Sequence, residues 1–181
     1  MNVLDAIRNR RSVRDYSPQA IPDDVMDRMR EAMRLAPSAC NLQPWHFVMV
    51  TSEVTRRKLG AAAHGQLWIA TAPVIVVACG RPQQAYPRMG GSGNSVDIDV
   101  TIALDHLMLA AVAEGLGTCW IGSFSEREVK RLLDVPRGVK VVALTPLGFP
   151  ASADLICPVP EAARKPAAEV FSQDKFSQPL S

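Results

Sequence analysis

Residues 73–78 read Pro-Val-Ile-Val-Val-Ala, with β-branched side chains at four successive positions from Val74 to Val77. Such a run has no polar alternate face, so it forms a strand covered on both sides. That requirement narrows the architecture to a layered sheet with helices packed against each face. With 181 residues the chain is long enough to build these layers around one core without disulfides or a structural metal.

The flanking segments supply the layers. Val3, Leu4 and Ile7 recur at helical spacing and give a short first helix that ends in a basic cluster, Arg8, Arg10, Arg11 and Arg14. Pro22 opens a second helix, where Asp23 and Asp24 suit the positive end of the helix dipole and Val25, Met29, Met33 and Ala36 share an apolar face. Pro37 stops it. Residues 47–50 read as a buried strand and 55–63 as a helix closed near Gly65. Residues 81–95 hold three Gly and two Pro with few apolar side chains, the composition of a mobile loop that can cover a site.

Residues 96–114 form a long helix with Ile102, Ala103, Leu104, Leu107 and Met108 spread round much of its circumference, which predicts a subunit interface. Gly115-Leu116-Gly117 ends it, and 118–121 reads as a strand. Ser125 and Glu128 form a capping box for a helix that Pro136 ends, and 139–147 is the last long strand. The tail carries Pro150, Pro158, Pro160, Pro166 and Pro179 with little apolar content. One domain over 1–181 is therefore expected, with 151–181 packed on a partner subunit.

Lys and Arg number 20 against 18 Asp and Glu, and the basic residues are spread along the chain without interleaved aromatics, so no nucleic acid is implied. Asp105 and His106 interrupt the longest apolar stretch before it reaches the ~20 residues of a membrane-spanning helix. Asp5 and Arg8 deny the N-terminus the apolar core of a signal peptide. Cys40, Cys79, Cys119 and Cys157 lack metal-ligand spacing and read as reduced, mostly buried thiols of a cytoplasmic protein with no metal site. His106 reads as a hydrogen-bonded core or interface residue, His46 as a strand start and His64 as a helix terminus.

Four segments could carry chemistry, and each also has an ordinary structural reading. Arg10-Arg11-Ser12-Val13-Arg14 offers guanidinium forks to a phosphate, or is a solvated basic turn. The loop Ala36-Pro37-Ser38-Ala39-Cys40-Asn41-Leu42-Gln43-Pro44-Trp45 can meet the polar edge of a heterocycle, or is a self-satisfied turn. In that loop Trp45 reads as a packing residue. Glycines in Gly115-Leu116-Gly117-Thr118-Cys119-Trp120-Ile121-Gly122-Ser123-Phe124 let backbone approach a flat ligand, or make a tight turn. Arg164-Lys165-Pro166 means nothing alone. Gly90-Gly91-Ser92-Gly93 lacks the spacing of a dinucleotide fingerprint.

Taken in this order, the four segments, with Leu147-Gly148-Phe149-Pro150 beside them, resemble the nitroreductase family across nearly the whole chain. The resemblance implies an α+β fold, a three-layer α/β/α sandwich with a mixed, largely antiparallel sheet, in an intertwined homodimer that binds FMN at its interface. Carried over by motif, Arg10, Arg11, Ser12, Arg14 and Arg164 would hold the FMN phosphate and ribityl chain. Pro37, Ser38, Asn41 and Gln43 would reach in from the other subunit, Gln66 would meet the pyrimidine edge, and Trp120, Ile121, Gly122 and Ser123 would lie along the isoalloxazine.

The implied activity is reduction of nitroaromatics, quinones or similar flat electrophiles by NAD(P)H through flavin N5. Other flavin chemistry (ene reduction, dehalogenation, heterocycle oxidation, flavin fragmentation) and a flavin-binding module without turnover remain open alternatives. No catalytic acid or base is assigned. Cys40 takes a loop position that is often small in relatives, and the glycine-rich 81–95 segment stands where larger members carry a helical insert.

Overall fold

The computed structural model describes residues 1–91 and 93–179; Ser92, within the loop expected over 81–95, and the last two residues lie outside that range. At its centre is β2 (Val74–Gly80), buried at every residue. It pairs with β1 (Trp45–Val50) on one side and β4 (Lys140–Gly148) on the other, and β3 (Gly117–Thr118) completes the order β1-β2-β4-β3. All three pairings are antiparallel. Among the described residues a parallel element enters only through an isolated bridge between Ser12 and Thr118.

Alternation along β2 divides the core in two, because successive side chains of a strand point to opposite faces. Val74, Val76 and Ala78 meet Met26, Met29 and Met33 of α2 (Asp23–Arg34) and Val100, Leu104, Leu107 and Ala111 of α4 (Val96–Ala113). Ile75, Val77 and Cys79 meet Leu59 and Ala62 of α3 (Glu53–Ala62) and Val129 of α5 (Glu126–Leu132). A short α1 (Val3–Asn9) lies against α4, and a single turn, α6 (Ala167–Val170), stands in the tail. The expected α/β/α layering is present.

Glycine makes one junction possible: a Cβ on Gly80 would lie 2.3 Å from a Val96 methyl, so α4 starts directly over the end of β2 only because that position is bare.

Several local expectations need correction. The strand read as buried over 47–50 runs from Trp45 to Val50 and is an edge strand in which only Val50 is buried. A short apolar run does not distinguish edge from centre. The strand read over 118–121 reduces to the two residues of β3 plus an isolated Ile121–Leu144 bridge. The register is continuous, but the Cys119 N–H donates to the Thr145 hydroxyl at 3.2 Å and interrupts the ladder.

The Ser125 cap is half a capping box. Its hydroxyl accepts from the Glu128 N–H, while its own N–H donates to the Ala62 carbonyl and the Glu128 carboxylate turns to Arg131. Of the four cysteines, all free, Cys79 and Cys119 are buried but Cys40 and Cys157 are exposed.

Helix α4 has two faces. One is the core stripe; on the other Ile98 is exposed and Ile102, His106 and Leu109 are half-buried. Val3, Leu4 and Ile7 of α1 are exposed as well, and a groove of about 300 Å³ between the helices is lined by Val3, Ala6, His106 and Leu109. After Val159 every described residue is exposed, Phe171 and Phe176 included.

Candidate functional site

The arginine segment follows α1 in extended conformation and is fixed to the sheet edge. Ser12 bridges Thr118, the Val13 N–H donates to the Thr118 carbonyl at 2.9 Å, and the Tyr16 hydroxyl donates to the Val13 carbonyl at 2.7 Å. A Cβ on Gly117 would sit 2.7 Å from a Val13 methyl, so this close approach requires glycine there. Burial of Tyr16 pushes its phenol well above the ordinary range, a neighbouring Cys119 adds to the rise and Arg14 opposes it. The ring is a neutral hydrogen-bond donor that pins the segment.

The tail returns to the same place. The Ala151 N–H donates to the Asp15 carbonyl and the Val159 N–H to the Arg8 carbonyl, each at 3.0 Å. The result is an open pocket of about 380 Å³ bounded by Arg10, Arg11, Ser12 and Arg14 from one end of the chain and Arg164 from the other. Among the described residues none of these four arginines pairs with a carboxylate. The contrast with other surface arginines is informative, because Arg28, Arg30, Arg34, Arg57 and Arg131 each pair with an acid. Arg11 donates through Nη1 to the Arg10 carbonyl at 2.7 Å, while its Nη2 is buried without a partner. Clustered guanidinium groups left uncompensated are suited to a polyanionic group such as phosphate.

Behind the arginines lies Cys119, whose role the motif did not suggest. Burial pushes its thiol up, while Arg14, Ser12 and Arg10 pull in the opposite direction. The net rise keeps it protonated near neutrality, so it acts as packing rather than as a thiolate.

The Pro37–Gln43 segment does not line this pocket. It is an exposed turn on the other end of α4, with Cys40, Asn41 and Gln43 all at positive φ (50°, 56° and 50°). The Ser38 hydroxyl accepts from the Gln43 N–H at 2.9 Å, and the Gln43 side-chain amide donates to the Asn41 side-chain oxygen at 3.1 Å. Three non-glycine residues in left-handed conformation within four positions store strain of a kind that clusters at ligand contacts. Trp45 packs against the core, as expected.

The third group is partly assembled. Trp120, Gly122 and Ser123 are exposed and Ile121 is buried. The Gln66 amide donates to the Ser123 carbonyl at 3.3 Å and to Ala63 at 3.0 Å, so the structure joins two residues that only family position had linked. A larger open groove, about 760 Å³, lies elsewhere, between Tyr16, Arg56, Leu67 and Pro73. Among the described residues there is no cluster of three metal-ligating side chains and no helix long and apolar enough to cross a membrane.

The chain is similar to known proteins in sequence and in fold. The nitroreductase family model matches residues 7–149. An NADH dehydrogenase of Thermus thermophilus is 32% identical over 186 residues, spanning 82% of this chain and 88% of that protein. A 5,6-dimethylbenzimidazole synthase of Rhodobacter capsulatus is 30% identical over 176 residues, spanning 84% and 85%, and an FMN reductase (NAD(P)H) of Bacillus subtilis is 27% identical over 191 residues, spanning 97% and 77%. The crystal structure of a nitroreductase family protein from Clostridium difficile superposes with a TM-score of 0.86 over 97% of this chain and all of that one, at 24% identity. This chain belongs to the nitroreductase family.

Proposed function

We propose that the protein is an FMN-dependent oxidoreductase that takes electrons from NAD(P)H and gives them to a flat electrophile such as a nitroaromatic or a quinone. One observation carries the reading: Arg10, Arg11, Arg14 and Arg164 converge on one pocket beside Ser12, with no carboxylate partner among the described residues. That cluster fits one phosphate monoester, and Arg11 brings a buried guanidinium nitrogen still in need of an acceptor.

In this reading Arg10, Arg11, Ser12, Arg14 and Arg164 hold the phosphate of FMN. The flavin, when bound, supplies hydride chemistry at its own ring. The chain's part is to bind and orient. Backbone at Ile121, Gly122 and Ser123 borders the ring, Trp120 flanks it, and the Gln66 amide steadies that turn through the Ser123 carbonyl. Pro37, Ser38, Asn41 and Gln43 serve the flavin of a partner subunit. The open faces of α1 and α4 and the exposed tail support a homodimer, with the apolar strip against its twin and 151–181 laid on the partner. Four free thiols suit a reducing cytoplasm.

The test is the visible spectrum of the purified protein and its bleaching under anaerobic NADH or NADPH, followed by chromatography of the heat-released cofactor. FMN that is reduced by either nucleotide and reoxidised by a quinone supports the reading. Recovery of FAD, or failure to take up flavin on reconstitution, overturns it. Tightly bound FMN that neither nucleotide reduces moves the activity to other flavin chemistry, a direction in which the similarity to the synthase points.

A further inference from the structure

A carboxylate interrupts the core stripe of α4. Asp99 lies three residues after Val96 and four before Ala103, on the buried side, and is itself only 2% exposed. No ion pair reaches it among the described residues. A buried charge without a counterion is costly unless hydrogen bonds replace its water, and here two do. The Ala39 N–H donates to Oδ1 at 3.0 Å and the Ser95 hydroxyl to Oδ2 at 2.6 Å. Its place in the first turns of α4 adds the positive end of the helix dipole.

Those donors belong to different segments. Ala39 opens the turn in which Cys40, Asn41 and Gln43 take left-handed backbone. The Ser95 hydroxyl also accepts from the Tyr86 N–H at 3.0 Å, and the Ser95 N–H donates to the Tyr86 carbonyl at 2.9 Å. A single carboxylate therefore ties together the strained 38–43 turn, the start of α4 and the 81–95 loop. Strained backbone persists only where its surroundings over-determine it. The bond to Ala39, directly before the first left-handed residue, is such a constraint.

We propose that Asp99 is a positioning residue that holds the 38–43 turn in its left-handed form and couples it to the segment at Tyr86, so that release of one loosens the other. The coupling stands on geometry alone; its consequence for flavin affinity rests on the reading of that turn as a flavin contact.

Asp99→Ala and Asp99→Asn separate a positioning role from bulk stability. Asparagine keeps the shape, leaves an acceptor for the Ala39 N–H and can donate to the Ser95 hydroxyl. In the full-length protein purified without added flavin, D99A should speed amide exchange about tenfold or more at residues 39–43 and at Tyr86, while 74–78 keep their protection. D99N should stay within roughly threefold of wild type. After reconstitution the FMN dissociation constant should rise about tenfold in D99A and recover in D99N.

If D99A does not fold, Ser95→Ala decides the matter, since it cuts the hydroxyl link yet leaves the Ala39 bond in place; faster exchange at both Tyr86 and 39–43 is expected. Unchanged exchange at 39–43 in whichever variant folds, a response confined to one of the two segments, or no rescue by D99N overturns the proposal. A wild type that binds no FMN removes the flavin reading, and the exchange results still decide the role of Asp99.

Discussion

The two faces of α4 are made of similar residues and have opposite fates. Leu104, Leu107 and Ala111 are wholly buried against β2 and α2, whereas Ile98 on the opposite face is exposed and Ile102 and Leu109 are half-covered. The first face is completed by its own chain. The second is continued by Val3, Leu4 and Ile7 of α1, and among the described residues it is only partly covered. Contiguous apolar surface of this kind is a contact waiting for a partner. In the proposed homodimer one helix would serve two cores, which would account for apolar residues that run round most of its circumference rather than along one stripe.

Charging the open face is the hardest way to break that comparison. The double variant Ile98→Glu with Leu109→Glu should abolish the dimer, whose interface is expected to exceed ~2,000 Å², the size of an obligate one. Flavin binding should vanish with it. Equilibrium sedimentation at micromolar concentration reads the result; a wild-type monomer that still holds FMN would refute the shared interface.

Truncating the buried face should cost less but affect folding directly. Leu107→Ala is expected to destabilise the protein by roughly 2–5 kcal/mol, the transfer and cavity cost of a buried leucine. Denaturant unfolding at fixed protein concentration measures it. The matched change on the open face, Leu109→Ala, should alter stability mainly through its dependence on protein concentration. Equal, concentration-independent losses at the two positions would erase the distinction between the faces.

The arginine pocket sharpens the same contrast at a smaller scale. Arg10 stands on a segment bonded to β3, while Arg164 stands on a tail whose described residues after Val159 are all exposed. Either Arg→Ala change should weaken FMN binding by about 1.5–3 kcal/mol, the range for hydrogen bonds to a charged group. Fluorescence titration of flavin settles it, and undiminished affinity in both single variants would make the cluster an ordinary solvated face.

What the sequence revealed follows from the range of the interactions involved. β2, α4 and the arginine cluster were legible because each is a pattern within a few residues: a β-branched run, a helical apolar period and a basic motif. The edge position of β1 was not, since Trp45–Val50 looks as apolar as a central strand and only the missing neighbour makes it an edge. The shortness of β3 depends on the Thr145 hydroxyl, 26 residues from the Cys119 N–H that it captures. Arg164 comes to the pocket of Arg10 only because the tail runs back antiparallel along residues 8–16, and only its place in a family motif hinted at this. Asp99 left one signal that could have been read: an acidic residue at core spacing between Val96 and Ala103.

The smallest expected effect lies inside the completed core and is silent at neutral pH. Cys79 stands on β2, buried among Val77, Val141 and Leu144, and burial pushes its thiol up to about 11 from an ordinary 9, against weaker opposing pulls from Lys130 and Arg81. The raised value means that the native state keeps its proton where the unfolded chain gives it up. Stability from this group is therefore fully present below pH 9 and declines as pH rises from 9 through 11. Cys119, also raised by burial, adds a decline of the same sign, so the contribution of Cys79 has to be read as a difference. Cys79→Ala will lower stability at pH 7 by the cavity it leaves, but its stability should fall less steeply than that of the wild type above pH 9. Urea unfolding from pH 7 to 11 on both proteins measures the two slopes. Parallel curves would mean that the thiol ionises as freely in the folded protein as in the unfolded chain, and that the face of β2 toward α3 and α5 admits water.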